Sequence, residues 1–196
     1  MPETTAAPSR ASVTRTALLD SARQVFVEFG YVDASVTAIV ERAGASVGSL
    51  YHHFGGKPDI FIALYEEYEL RAIRAAGDAV ADARESGEGN PVELFVHGAR
   101  GYLRQCRVDK DLAGLFLRGD GPPGFNILRR RMAAEWVRQN GRLIRADERR
   151  NGEALVTVLT TVTGAAGREV AAAPTDERAD ELIEDFCALL ARVAEE

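Results

Sequence analysis

The chain reads as all-α: an N-terminal three-helix unit of helix-turn-helix type, joined by a long helix to a larger helical domain. Three observations predict this. Apolar residues recur with the 3.6-residue helical period almost throughout. No segment alternates as a half-buried strand would. The breaks between periodic runs carry glycine, proline or a capping residue, as at Gly30, Ser35, Gly44, Asn90-Pro91 and Thr175.

The first helix is predicted over Thr14 to Phe29, with Leu18, Ala22, Val25 and Phe29 on one stripe and Leu19 and Phe26 widening it. Gly30 is its expected stop. Ser35 suits the N-cap of a second helix through Ala43, whose Val36, Ile39 and Val40 face inward. Gly44 supplies the positive φ of a tight turn. A third helix covers Val47 to Phe54, with Leu50 and Phe54 inward at i and i+4. The fourth starts at Lys57-Pro58, where proline fits the first turn, and runs to about Arg84. Its apolar face is Ile60, Phe61, Leu64, Tyr68, Ile73 and Val80.

Ser86 to Pro91 breaks the pattern, and Asn90 caps a fifth helix. Leu112 to Leu117 is a short sixth. The loop Gly119-Asp120-Gly121-Pro122-Pro123-Gly124 precedes a seventh, which Asn140-Gly141 is expected to interrupt. The eighth spans Glu153 to Val170. The last begins after Pro174, with Thr175 as cap. The expected division is a disordered tail at 1–13, a DNA-binding unit at 14–57 and a helical domain at 58–196.

Composition narrows the function. Apolar residues make up 46% of 196, enough for a sizeable core. No apolar run approaches the roughly 18–20 residues of a membrane span. The first 13 residues lack the apolar segment of a signal peptide, so a cytoplasmic location is expected. Arg10 in that tail is either solvated or reaches a minor groove. Cys106 and Cys187 form no C-x-x-C pair, and no Cys, Asp or Glu stands at metal spacing from His52, His53 or His97. No metal and no cofactor is expected.

The second and third helices hold the chemistry. Within 15 residues, Ala43 to Lys57, the sequence offers hydroxyl, phenol and imidazole groups with a lysine just beyond. Such groups suit phosphate oxygens and base edges. The net charge of −6 does not oppose this, because a small reader needs only a locally suitable surface. The unit's own charges nearly balance: Arg10, Arg15, Arg23, Arg42 and Lys57 against Asp20, Glu28, Asp33 and Glu41. Neutral donors are therefore expected to make many of the contacts.

At this point the order of residues resembles the TetR family of bacterial one-component regulators. The resemblance lies in Ala22, Phe26 through Gly30-Tyr31, Ile39, Ala43-Gly44, Gly48-Ser49-Leu50-Tyr51-His52-His53-Phe54 and Lys57, over about residues 15–62. It implies a recognition helix opened by Val47, Gly48 and Ser49 in the major groove. It implies phosphate contacts from Tyr51, His53 and Lys57, with His52 beside them, and further contacts from Ser35 and Thr37. Ala34 departs from the threonine common in the family, which removes one backbone contact. Val47 and Gly48 carry no side-chain hydrogen-bonding group, so base reading would rest on thymine methyls, close approach or DNA shape.

The second domain matches the family only as a helical domain of suitable length. Phe95, Tyr102, Leu103, Phe116, Phe125, Met132 and Trp136 are candidate effector-binding residues, with plain core as the alternative. Arg131, Arg138, Arg142, Arg145 and Arg149 share a helical face, either solvated or attractive to an anionic ligand. Two stripes, Leu155, Leu159 and Val162, and Leu182, Phe186, Leu189 and Val193, are the expected homodimer interface. The expected function is a ligand-responsive repressor that binds operator DNA as a homodimer. Two other readings remain: an enzyme using Asp120 and His97, which leaves the N-terminal unit unexplained, and a protein-binding adaptor.

Overall fold

The structure, a computed structural model, describes residues 10–117 and 120–195. Among them it is all-α, with nine α-helices and one 3₁₀ turn. The chain divides into two compact units between Glu66 and Glu67, and Asp120–Pro122 group with the first. None of its helices among the described residues is long and apolar enough to cross a membrane.

The first unit contains α1 (Arg10–Asp33), α2 (Val36–Ala43), α3 (Val47–Phe54) and the start of α4 (Lys57–Glu85). Helix α1 begins before Thr14. Residues 1–9 of the expected tail lie outside the described residues, but 10–13 are helical, and the Thr14 hydroxyl donates back to the Arg10 carbonyl at 3.0 Å. Arg10 thus belongs to a helical turn rather than a free arm. Gly30 breaks the helix as expected, with φ 75° and ψ 175°, and one further turn follows it. That break leaves Phe29 47% exposed, so it drops out of the predicted stripe.

Leu18, Ala22, Phe26, Ile39, Leu50 and Phe61 are fully buried and make the small core. Each large side chain so buried contributes about 1.5–3 kcal/mol. Local chemistry fixes the helix starts. The Ser35 hydroxyl accepts from the Ala38 amide at 3.0 Å, and the Ser46 hydroxyl accepts from the Ser49 amide at 3.1 Å. Between those helices Gly44 takes φ 60°, which glycine tolerates best.

The second unit holds the rest of α4, α5 (Pro91–Val108), α6 (Lys110–Leu117), α7 (Phe125–Leu143), the 3₁₀ turn Ala146–Glu148, α8 (Gly152–Ala172) and α9 (Asp176–Glu195). Asn90 and Thr175 cap α5 and α9 as predicted. Asn140-Gly141 does not interrupt α7; the Asn140 amide donates to Thr160 at 3.0 Å and so ties α7 to α8. Gly119 of the predicted loop lies outside the described residues.

Helices α5, α8 and α9 surround the main core. Two close approaches shape it. A Cβ at Gly101 would sit 2.4 Å from the Ala75 carbonyl oxygen, and one at Gly167 would sit 2.9 Å from Cys106 Sγ and 3.1 Å from the Tyr102 hydroxyl. Gly167 thus makes room for side chains of its own chain.

Candidate functional site

Helix α3 sorts its residues by position. Leu50 and Phe54 point into the core. Val47, Gly48, Tyr51 and His52 are exposed, at spacings of one, three and one, and so share the outward face. Tyr51 is 54% exposed and Val47 45%. Ser49 and His53 lie half-buried at its flanks, with the imidazole rings of His52 and His53 5.2 Å apart. Ser35 and Thr37 are exposed at the start of α2. The starts of α2 and α3 thus face solvent, each capped by a serine hydroxyl, and a helix start of this kind favours an anion such as phosphate. Sequence reasoning missed Ser46, which stood just before the predicted helix and gave its signal as an N-cap three residues before Ser49.

Lys57 is where structure and expectation part. Its ammonium donates to three backbone carbonyls: Tyr31 at 2.8 Å, Val32 at 3.0 Å and Ala34 at 2.8 Å. It also lies 4.6 Å from the centre of the Tyr31 ring. An ammonium has three hydrogens, and all three are matched. None is left for a phosphate in this geometry. Two other cations of the unit are also engaged: Arg42 bonds Glu28 at 3.0 Å, and Arg15 lies 5.0 Å from the Phe54 ring centre.

In the second unit the effector candidates separate into two groups. Phe95, Leu103, Phe116 and Phe125 are buried. Tyr102, Met132 and Trp136 are half-buried. The rings of Tyr102 and Trp136 meet edge to face at 5.6 Å, while Phe116 bridges Tyr68 at 5.5 Å and Phe125 at 6.2 Å. Cys106 joins the two groups, since its sulfur interacts with both the Tyr68 and the Tyr102 hydroxyl. Trp136 Nε1 donates to Glu69 at 3.3 Å. Burial pushes the Cys106 thiol up to about 11 and raises both tyrosines well above their usual value. All three are therefore neutral at pH 7. The sequence did not mark Tyr68, Glu69 or Cys106 for this cluster, because the Tyr68–Cys106 and Glu69–Trp136 pairs join residues 38 and 67 apart.

A separate open groove of about 510 Å³ lies between the end of α4 and α5. His97, Arg100, Arg104, Asp82 and Glu88 line it, and no predicted effector residue does. His97 and Asp120 are both exposed. The predicted arginine face does not hold together, because α7 ends at Leu143. Arg145 follows in a left-handed conformation with φ 53°, and Arg149 donates to the Ala194 carbonyl at 2.7 Å.

The two apolar stripes also need correction. Leu155 is 6% exposed and Leu159 fully buried, both within the chain's own core. Val162 of that stripe does face outward, at 38% exposure, beside Val158 at 49%. On α9 the core takes Ala179, Ile183, Cys187, Leu190 and Ala194. Leu189 and Val193 stay exposed, while Leu182 and Phe186 are half-buried.

Three helices with an exposed, serine-capped third, followed by a helical domain, define a protein with an N-terminal helix-turn-helix unit. Residues 18–64 match the profile described as "Bacterial regulatory proteins, tetR family". The chain is 39% identical over 73 residues to the transcriptional repressor AcnR of Corynebacterium glutamicum, a segment covering 37% of this chain and 39% of that protein. The alignment thus spans well under two thirds of that relative's length. A TetR-like transcriptional regulator from Rhodococcus sp. RHA1 superposes with a TM-score of 0.73 at 20% identity, over 96% of both chains. SmeT, solved in complex with triclosan, superposes with a TM-score of 0.73 at 19% identity, over 92% of this chain and 89% of that one. Residues 18–64 therefore carry the N-terminal domain of the TetR family, and the described chain shares the fold of TetR-like regulators. The relatives named here are transcriptional regulators, which favours a regulator over the reading built on Asp120 and His97.

Proposed function

We propose that the protein is a repressor that binds operator DNA as a homodimer and lets go when a small apolar or amphipathic effector binds its second unit. The observation that carries this reading is the outward face of α3. Val47, Gly48, Tyr51 and His52 stand in solvent on a short helix whose start is capped and whose other side is anchored in the core. Such a helix fits the major groove, and two copies about 34 Å apart would meet two half-sites one turn apart. With Lys57 turned inward, the phosphate contacts fall to Tyr51, His52, His53, Ser35, Thr37 and the helix N-termini.

Homodimerisation is supported by the apolar side chains that α8 and α9 leave in water: Val158, Val162, Leu189 and Val193. A second copy packed there would form a four-helix bundle. The double variant Val162→Glu and Leu189→Glu sits on solvent-facing positions, so the subunit is expected to fold and sediment as a monomer. An intact dimer would place the interface elsewhere.

The effector is assigned to the aromatic cluster around Tyr102 and Trp136, whose half-buried rings offer apolar faces with polar tips. The triclosan complex of SmeT supports an apolar occupant by analogy. Helix α4 runs from the reader into this unit, so a ligand that favours one of its tilts would change operator affinity. A shift from 1:99 to 99:1 needs about 5.5 kcal/mol of differential affinity. The test is selection of a binding site from random duplexes, followed by a gel shift with candidate effectors. Trp136, the single tryptophan, reports binding by its emission. Selection that enriches no sequence would overturn the reading, and effectors that change emission without releasing DNA would remove the ligand control.

A further inference from the structure

We propose that Lys57 is a positioning residue that sets the angle of the recognition helix and takes no phosphate itself. The inference rests on the operator-binding reading above. Its basis is the placement of one side chain after a soft joint. Gly55 and Gly56 separate α3 from α4 and have φ of 80° and 156°. Positive φ at two consecutive glycines makes the joint permissive, so the joint alone does not hold α3 at one angle.

Lys57 follows at once as the first residue of α4. Its three ammonium hydrogens meet the carbonyls of Tyr31, Val32 and Ala34. Those carbonyls lie beyond the Gly30 break and lead into Ser35, the cap of α2. Lys57 therefore clasps the α1–α2 corner to the start of α4 and closes the ring of helices around α3. A cation at carbonyls left open by a helix end is favourable in itself. The Tyr31 ring completes the seat. It lies under the ammonium and against Phe61 of the same α4, with centroids 4.9 Å apart. With the corner and α4 fixed to each other, α3 has both ends anchored: Ser46 on one side, and a clasp immediately after the glycines on the other.

A clasp and a phosphate contact predict different behaviour. A lost cationic phosphate contact weakens every sequence about equally and lowers the salt slope by about 0.9. A loosened recognition helix loses base contacts, so specific binding falls while non-specific binding and the salt slope stay. The charge-preserving variant separates the two further. A planar guanidinium cannot converge on three carbonyls as an ammonium does, yet it serves a phosphate well.

The experiment uses the full chain with Lys57→Met and Lys57→Arg. Both are titrated, with active fraction set by stoichiometric binding, on the selected duplex and on a scrambled duplex of equal length across a range of salt. The expected result is that both variants lose about tenfold in the ratio of specific to non-specific affinity, with unchanged slope. The proposal is overturned if Lys57→Arg keeps the wild-type ratio while Lys57→Met weakens both duplexes equally and loses about 0.9 in slope. Should Lys57→Met fail to fold, Lys57→Arg alone decides, since only the clasp predicts a loss from it. If the wild-type protein enriches no sequence, the failure lies with the operator reading, and the positioning role goes with it.

Discussion

In residues 10–66 several of the decisive polar bonds run from a side chain to backbone nearby in sequence. Ser35 and Ser46 each cap a helix three residues on. In the second unit the corresponding bonds join side chains far apart in sequence. Arg71 bonds Asp109, Arg107 bonds Asp176, Arg100 bonds Glu184 and Trp136 bonds Glu69, at separations of 38, 69, 84 and 67 residues. The contrast has a physical meaning. A cap forms as soon as its helix forms and depends on little else. A long-range pair exists only once the helices have packed, so it reports on their arrangement and can change with it.

Asp109 offers the hardest test of that contrast. It is 4% exposed at the side chain and takes two bonds from Arg71 and one from Gln105, at 2.8–3.2 Å. Breaking a buried pair costs about 3–5 kcal/mol. Arg71 is 35% exposed and can reach water, so Asp109→Ala is expected to cost about 2–3 kcal/mol in urea unfolding. A loss below about 1 kcal/mol would show that the second unit does not depend on its long-range pairs.

Alkali comes next. The neutral Cys106 thiol is favoured in the fold, at about 11 against an ordinary value near 9. Raised folded values mean that its stabilisation is complete below pH 9 and lost as pH climbs from 9 towards 11. Tyr68 and Tyr102 act in the same direction. The second unit should therefore melt at lower temperature above pH 9, and Cys106→Ala should reduce that slope. An alkaline slope unchanged in the variant would count against the thiol.

Ser46→Ala should cost about 1 kcal/mol, the usual worth of an N-cap, and should weaken operator binding along with stability. A loss as large as that of Asp109→Ala would blur the contrast between the units. The smallest effect is expected from Tyr51→Phe. Removing one neutral hydroxyl from the outward face should weaken the selected and scrambled duplexes by a few-fold and leave the salt slope alone, since no charge is removed. Wild-type affinity in a filter-binding assay would take the Tyr51 hydroxyl off the phosphate backbone.

How much was legible follows the same division. Gly30, Gly44, Ser35, Asn90 and Thr175 act where the sequence indicated, because a cap or a positive φ involves residues within a few positions. The stripe on α8 misled for a related reason. Leu155, Val158, Leu159 and Val162 all lie near one side of the helix, and periodicity alone does not say which row meets the chain's own core and which meets water. The structure gives Leu155 and Leu159 to the core and leaves Val158 and Val162 outside. Arg145 and Arg149 were projected onto a helix that had already ended at Leu143.

The sequence by itself determined the all-helical architecture, the turns and caps of the reader, and the inward side of α3, since each depends on the conformational preference of a few neighbouring residues. Tertiary structure alone decided the use of Lys57. A lysine opening a helix can face a phosphate or its own chain. The choice went to three carbonyls 23 to 26 residues earlier, which converge on its ammonium only after α1, α2 and α4 have packed. It likewise decided the meeting of Tyr68, Tyr102 and Cys106 and the outward row of α8, because burial is a property of packed helices and not of any one of them.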